Sequence, residues 1–271
     1  MSIVEIPIVR YENGSHSSTR DIVAAEEPLE IFVDDKPFHT TMRLPGEEIP
    51  LAVGFLFTEG LIDSANEILT ASYCGDVSTN RITIRLKSRA NPDTRRNFTG
   101  TYTSYSSCGI CGRDMVSDLL KTTPKITKSV TVSVSRLAEF LSTFTGNQQV
   151  YRDTGGTHGA AIFGRDGEML AFSEDIGRHN ALDKSIGKVV LARKISEAKV
   201  LILSSRLSYE MVSKAARLGI EIIAGVSSAT SLAIEVAKNL NITLIGFYRR
   251  NRGNIYTCPD RVTFEDKTLT S

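Results

Sequence analysis

The chain has 271 residues, 41% of them hydrophobic and 23% charged, with a formal net charge of +1. That is enough apolar material for a substantial core, and the balance excludes a strongly basic nucleic-acid binder or an acidic solvating chain. The four cysteines are not spaced as a disulfide framework, the opening S-I-V-E-I-P-I-V-R is too short and polar for a secretory signal, and the nearest approach to a membrane span is L-A-V-G-F-L-F at 51–57, well short of the ~20 apolar residues a bilayer requires. A reducing cytoplasm is the expected setting, with no nucleic-acid or membrane partner.

In chain order, alternation of apolar and polar residues predicts an opening strand over 3–9, then a hairpin of strands 28–33 and 38–44 joined through D-D-K. After Pro45 and Gly46, acidic residues, an apolar body and then Gly60 predict a helix over 47–59. Strands over 68–74 and 82–86 follow. From Lys87 to Ser107 the apolar content falls, which reads as an exposed connection, and R-D-M-V-S-D-L-L-K (113–121) has helical spacing. The second half is more regular: a helix over 136–145, a strand over 148–153, the glycine-rich T-G-G-T-H-G, the runs A-A-I-F and E-M-L-A-F-S about a G-R-D-G turn, and a helix over 180–193. Strands 199–204, 221–226 and 243–248 then alternate with helices 208–218 and 230–239, a pattern that implies βαβ crossovers and a sheet covered on both faces. Two units are expected: a smaller β-rich α+β domain over 1–125, and a three-layer α/β/α domain with a mixed sheet over 126–271. The element order of the second resembles the cytidine-deaminase-like fold. The deaminase zinc signature is missing, since no H-x-E occurs and the cysteine pair lacks a preceding proline.

The chemistry-bearing stretch of the first unit is S-Y-S-S-C-G-I-C-G-R-D, with Cys108 and Cys111 flanked by Gly109 and Gly112. A C-x-x-C pair serves as half a zinc site, a dithiol redox pair or a nucleophilic thiolate with a resolving neighbour, and two small turn residues are the bland alternative. Cys111 lies just before the expected helix, whose N-terminus favours a thiolate. Cys74 and Cys258 read as incidental thiols, and His16 and His39 as surface residues.

Ligands of open α/β sheets bind beyond the carboxyl ends of the strands. Here those ends carry Ser204, Ser205, Arg206 and Ser208, then Ser227, Ser228 and Thr230, then R-R-N-R, a set that suits a phosphate-bearing ligand. In S-E-D-I-G-R-H-N-A-L-D-K (173–184), Asp175 or Asn180 is expected to cap the helix, whereas Arg178 and His179 are not explained by capping. His158 sits in T-G-G-T-H-G, where backbone N–H groups can meet an anion. Two histidines with the two cysteines would make the strongest zinc set, so a zinc-dependent hydrolase or a zinc-stabilised binding module stands as the alternative function.

Taken together, L-P-G-E-E-I-P-L-A-V-G-F-L-F-T-E-G-L, S-S-C-G-I-C-G, T-G-G-T-H-G-A-A, E-D-I-G-R-H-N-A-L-D-K, S-S-R-L-S-Y-E-M-V-S-K-A and G-F-Y-R-R-N-R-G-N-I-Y resemble the FdhD/NarQ family, accessory sulfurtransferases of formate dehydrogenase. The likeness runs over nearly the whole chain. It implies a sulfurtransferase that accepts persulfide sulfur from a cysteine desulfurase and passes it to the molybdenum bis-molybdopterin guanine dinucleotide cofactor of formate dehydrogenase. Cys108 would carry the persulfide, with Cys111 assisting or resolving. The family's cofactor-binding segment maps onto Phe247, Tyr248, Arg249, Arg250, Asn251 and Arg252. His158, Arg178, His179, Ser205, Arg206 and Ser228 complete the expected binding set for this guanine nucleotide cofactor. The resemblance also implies a homodimer and no permanent metal. Ser205 and Ala229 depart from the usual family pattern.

Overall fold

The computed structural model describes residues 2–73, 80–87, 119–250 and 252–264. Cys74, Cys108, Cys111 and Asn251 lie outside the described residues, as do most of the expected connection at 87–107 and helix at 113–121.

The strands are β1 (Ile3–Glu12), β2 (Ser15–Ala24), β3 (Glu27–Val33), β4 (Lys36–Arg43), β5 (Ile68–Tyr73), β6 (Arg81–Leu86), β7 (Val132–Ser133), β8 (His158–Phe163), β9 (Met169–Asp175), β10 (Val200–Leu203), β11 (Ile222–Gly225), β12 (Thr243–Arg249), β13 (Arg252–Thr257) and β14 (Val262–Thr263). The helices are α1 (Glu48–Thr58), α2 (Val134–Asn147), α3 (Gln149–Thr154), α4 (Arg178–Leu191), α5 (Tyr209–Leu218) and α6 (Ser231–Asn239). The result is a mixed α/β fold with several sheets. A six-stranded sheet runs β13-β12-β11-β10-β8-β9, and a four-stranded one runs β4-β3-β6-β5. Within the larger sheet β10, β11 and β12 are parallel, while β8, β9 and β13 join antiparallel.

Strand side chains alternate between the two faces of the larger sheet, and the buried residues sort accordingly. Ala160, Ile162, Leu201, Leu203, Ile223 and Leu244 join one core with α1, α4, α5, α6 and the four-stranded sheet. Ala161, Phe163, Val200, Ile202, Ile222 and Ala224 join the other, with Leu137, Phe140, Leu141 and Phe144 of α2. Both crossover helices share a face because β10, β11 and β12 step across the sheet in one direction, and right-handed crossovers then stack on one side.

The tightest contact is the crossing of α1 with α4. A Cβ at Gly54 would fall 1.8 Å from the carbonyl oxygen of Asp183, and one at Gly187 would fall 1.9 Å from that of Pro50. Only glycine lets the two backbones meet this way.

One expectation is corrected, and two strands lie where none was expected. Residues 148–153 are not a strand: Gln149–Thr154 is helical, because the buried carboxylate of Glu174 accepts the N–H groups of Val150 (3.0 Å) and Tyr151 (2.8 Å) at the helix start. The unread strand β2 has almost no apolar alternation; it exists through full pairing with β1 across Asn13-Gly14, both at positive φ. The unread β13 returns along β12 as an antiparallel edge.

Candidate functional site

The loops after β10 and β11 are stitched to one another and to β12. Leu207 N donates to Ser228 O (2.9 Å), Thr230 N to Leu207 O (3.0 Å) and Phe247 N to Ser227 O (2.8 Å). Gly225 is needed here, since a Cβ would stand 2.6 Å from the Leu207 side chain. Ser205, Arg206 and Ser228 therefore sit on one continuous rim. Ser205 is buried, its hydroxyl donating to Arg206 O (3.1 Å), and its backbone does not adopt positive φ, so serine is accommodated without strain. Arg206 is exposed.

Phe247 and its neighbours extend this rim. Phe247 adopts φ 49°, costly for a bulky aromatic residue, beside a register shift in the β12–β13 pairing, and its ring is 47% exposed. Tyr248 turns inward; its hydroxyl is buried with no hydrogen-bond partner among the described residues, and burial pushes its pKa up. The Arg249 guanidinium reaches back to the carbonyls of Val226 and Tyr248, while Arg250 and Arg252 face solvent.

On the other flank of the edge, β8 starts and β9 ends beside the end of β10. His158 Nδ1 lies 3.3 Å from Ser204 Oγ, which accepts the N–H of Gly159 (2.9 Å). Arg178 and His179 open α4 after Gly177, where no side chain caps the helix. The expected capping by Asp175 or Asn180 is thus corrected. Asp175 accepts the N–H groups of Gly177 (3.0 Å) and Leu44 (3.1 Å) and pairs with buried Lys184 (2.7 Å), while Asn180 donates to Met42 O (2.8 Å). These groups tie the turn to β4, and among the described residues no side chain caps the first N–H groups of α4.

Arg178 is the electrostatic centre of this flank, and its Nε is buried without a hydrogen-bond partner among the described residues. Burial lowers the pKa of His158, and the Arg178 charge lowers it further. His179 falls to about 4 through burial, then through Arg178 and Lys214. Both rings are neutral near pH 7. An arginine with a free, desolvated donor beside neutral imidazoles and an uncapped helix N-terminus is an arrangement that accepts an anion.

Several contributors lie inside the quoted motifs without having been singled out there, Glu210 and Lys214 in S-S-R-L-S-Y-E-M-V-S-K-A and Asp183 in E-D-I-G-R-H-N-A-L-D-K. Burial raises the Glu210 carboxyl, but the Ser208 hydroxyl (2.6 Å), its own N–H, His179 and Arg178 outweigh that and hold it below its usual value. Lys214 Nζ donates to both carboxylate oxygens of buried Asp183 (2.9 and 2.8 Å) and to Thr58 Oγ1 (2.8 Å), joining α5, α4 and α1 beneath the site. His39 is not the surface residue expected. Its ring stacks on Phe55 with centroids 4.3 Å apart, and burial, then the Lys214 charge, lower its pKa. His16 is exposed on β2, as expected.

Fold and site together define an α/β protein whose carboxyl sheet edge gathers arginines, neutral histidines and open backbone donors. The chain belongs to the FdhD/NarQ family, whose model matches residues 24–263. It is 41% identical over 265 residues to the sulfur carrier protein FdhD of Sulfolobus acidocaldarius, covering 97% of this chain and 99% of that one. It is 37% identical over 269 residues to the sulfur carrier protein FdhD of Streptomyces coelicolor, covering 94% of each. The crystal structure of a provisionally assigned formate dehydrogenase accessory protein from Desulfotalea psychrophila superposes with a TM-score of 0.78 at 25% identity, over 97% of this chain and 100% of that one. No helix among the described residues is long and apolar enough to cross a membrane.

Proposed function

We propose that the chain is a cytoplasmic sulfurtransferase that carries persulfide sulfur from a cysteine desulfurase to the molybdenum bis-molybdopterin guanine dinucleotide cofactor destined for formate dehydrogenase. The observation that carries the reading is the near full-length identity to proteins named as sulfur carriers. In the first step the Cys108 thiolate attacks the outer sulfur of the donor's persulfide, the donor's S–S bond breaks, and its cysteine leaves as a thiolate. In the second, the Cys111 thiolate attacks Cys108, so that the outer sulfur departs as hydrosulfide toward the client and a Cys108–Cys111 disulfide is left for a cellular thiol to reduce. The two electrons that reduce the sulfur come from the dithiol.

The carboxyl edge is the proposed docking place for the client. Arg178, Arg206, Arg249, Arg250 and Arg252 supply positive charge for its phosphates, and the unpaired Nε of Arg178 fits such a role. Exposed Phe247 offers a face for stacking. His158, His179, Ser205, Ser228, Tyr248 and Asn251 complete the proposed set. Residues 1–125 then form the unit presenting the cysteines and 126–271 a deaminase-like unit holding the client, with two chains associating as a homodimer.

Calorimetry with guanosine diphosphate tests the docking half of the reading. Arg249→Ala or Arg206→Ala weakens binding about tenfold, a charge-assisted contact being worth ~1.5–3 kcal/mol; unchanged affinity in both variants removes the edge as the nucleotide site.

A further inference from the structure

The first two strands form an arm that the rest of the fold leaves uncovered. Among the described residues, β1 and β2 pair with each other in one unbroken ladder and with no other strand. Two strands of 10 residues make the arm roughly 34 Å long at ~3.4 Å per residue. It is tied down at its base, where Ala25 N donates to Ser2 O (3.0 Å) and Ser2 Oγ to Pro45 O (3.3 Å). Nothing from Ile3 to Ala24 is buried, and Val4, Ile6, Val9, Tyr11 and Ile22 are exposed, Val9 at 66% and Tyr11 at 80%. A lone two-stranded hairpin is marginally stable in water, and independent stability takes three or more strands. An arm held in this form needs a further strand beside it.

The two edges of the arm differ in what they offer. Pro7 has no N–H, and within an unbroken ladder its nitrogen faces the outer edge of β1, which is interrupted there. β2 contains no proline. Arg20 lies opposite Pro7, so Arg20 and, by alternation, Ser18 and Ile22 turn their N–H and C=O groups to the outer edge of β2. A strand that joins this edge meets little unpaired charge, because Arg20 pairs with Glu5 (3.0 Å) and Arg10 with Asp21 (3.8 Å) inside the arm. A second copy of β2 fits. Two-fold antiparallel pairing sets one residue opposite its own counterpart. Of the two registers with fullest overlap, the one centred on Arg20 opposes like charges, whereas the one centred on Thr19 opposes Thr19 to Thr19, Ser18 to Arg20 and Ser17 to Asp21. The arm's two 10-residue strands come close to the roughly 20–30 residues a side that a stable interface uses.

We propose that the arm joins two copies of this chain: β2 of one copy pairs antiparallel with β2 of the other about a two-fold axis at Thr19, giving a continuous sheet β1-β2-β2-β1. This seam rests on the homodimer proposed above and gives it an interface. It also closes the assembly at two copies. Both outer strands of the joined sheet are β1, and Pro7 blocks each of them against a further strand.

Two variants of the full chain test the seam. Oxidised Thr19→Cys is expected to form a dimer linked by a disulfide at position 19, because opposed residues of a non-hydrogen-bonded pair lie ~4.5 Å apart at Cα, within disulfide range. Peptide mapping separates this link from any made by the native cysteines. Ser18→Pro removes one outward N–H and leaves the β1–β2 ladder its hydrogen bonds; circular dichroism confirms that it is folded. Sedimentation equilibrium is expected to show its dimer dissociation constant raised at least tenfold over wild type. A wild-type dimer whose Thr19→Cys variant forms no link at position 19, or whose dissociation constant is unchanged by Ser18→Pro, overturns the seam and leaves the homodimer standing. A monomeric wild type overturns both.

Discussion

His179 illustrates how the site holds its groups in defined charge states. Burial and the Arg178 and Lys214 charges set its folded pKa at about 4, against 6.5 when unfolded. The unfolded chain therefore takes up a proton first as pH falls through 6.5, and the folded chain follows only near 4. Stability from this group is fully present above pH 6.5 and declines across that window, by on the order of 2–3 kcal/mol. His158 and His39 shift in the same direction. Denaturant unfolding of His179→Gln from pH 7 to pH 4 is expected to show a shallower loss of stability than wild type; parallel curves would contradict the account. Arg178 and His179 lie at the helix entrance, where the motif places them, because a helix entrance needs only one cap and the motif has residues to spare. The capping roles given to Asp175 and Asn180 were wrong because their partners, Leu44 and Met42, lie more than a hundred residues away. His39 was misread for a like reason: its burial depends on Phe55 and Lys214, which periodicity around β4 cannot reveal.

Among the elements, the α1–α4 crossing holds the four-stranded sheet and the site together, since α4 opens with Arg178 and contains the Asp183 that Lys214 pairs with. Gly54→Ala or Gly187→Ala forces a methyl group into a carbonyl on the opposing helix. Each is expected to cost about 3 kcal/mol or more, beyond ordinary overpacking, because backbone rather than a side chain must yield. Chemical denaturation measures this directly, and a loss below about 0.5 kcal/mol in both variants would mean that the helices slide apart freely. Elements built on strong local periodicity, such as β3, β4, α1 and the β10–β12 alternation, were readable from the chain. The strand expected at 148–153 was overridden by Glu174 in β9, a distant carboxylate acting as a helix cap. For β2 a usable signal did exist in Asn13-Gly14, a pair suited to a tight hairpin turn, although the strand itself is polar.

At the scale of the whole molecule, one core joins the four-stranded sheet, α1, α4, α5, α6 and one face of the larger sheet. The carboxyl edge is supported by close glycine contacts, a buried Lys214–Asp183 pair and loops bonded to one another. An edge supported in this way fits the proposed docking of a client. Long motifs made the family legible in the chain, whereas the stitching of the loops after β10 and β11 to β12 was not, since it joins backbone groups of segments far apart in sequence. The central claim is that Cys108 carries the sulfur. Incubating the full chain with a cysteine desulfurase and cysteine, then mapping bound sulfur by mass spectrometry, tests it most directly. The account predicts one added sulfur on the Cys108 peptide and none on Cys108→Ala; full loading of Cys108→Ala would contradict it.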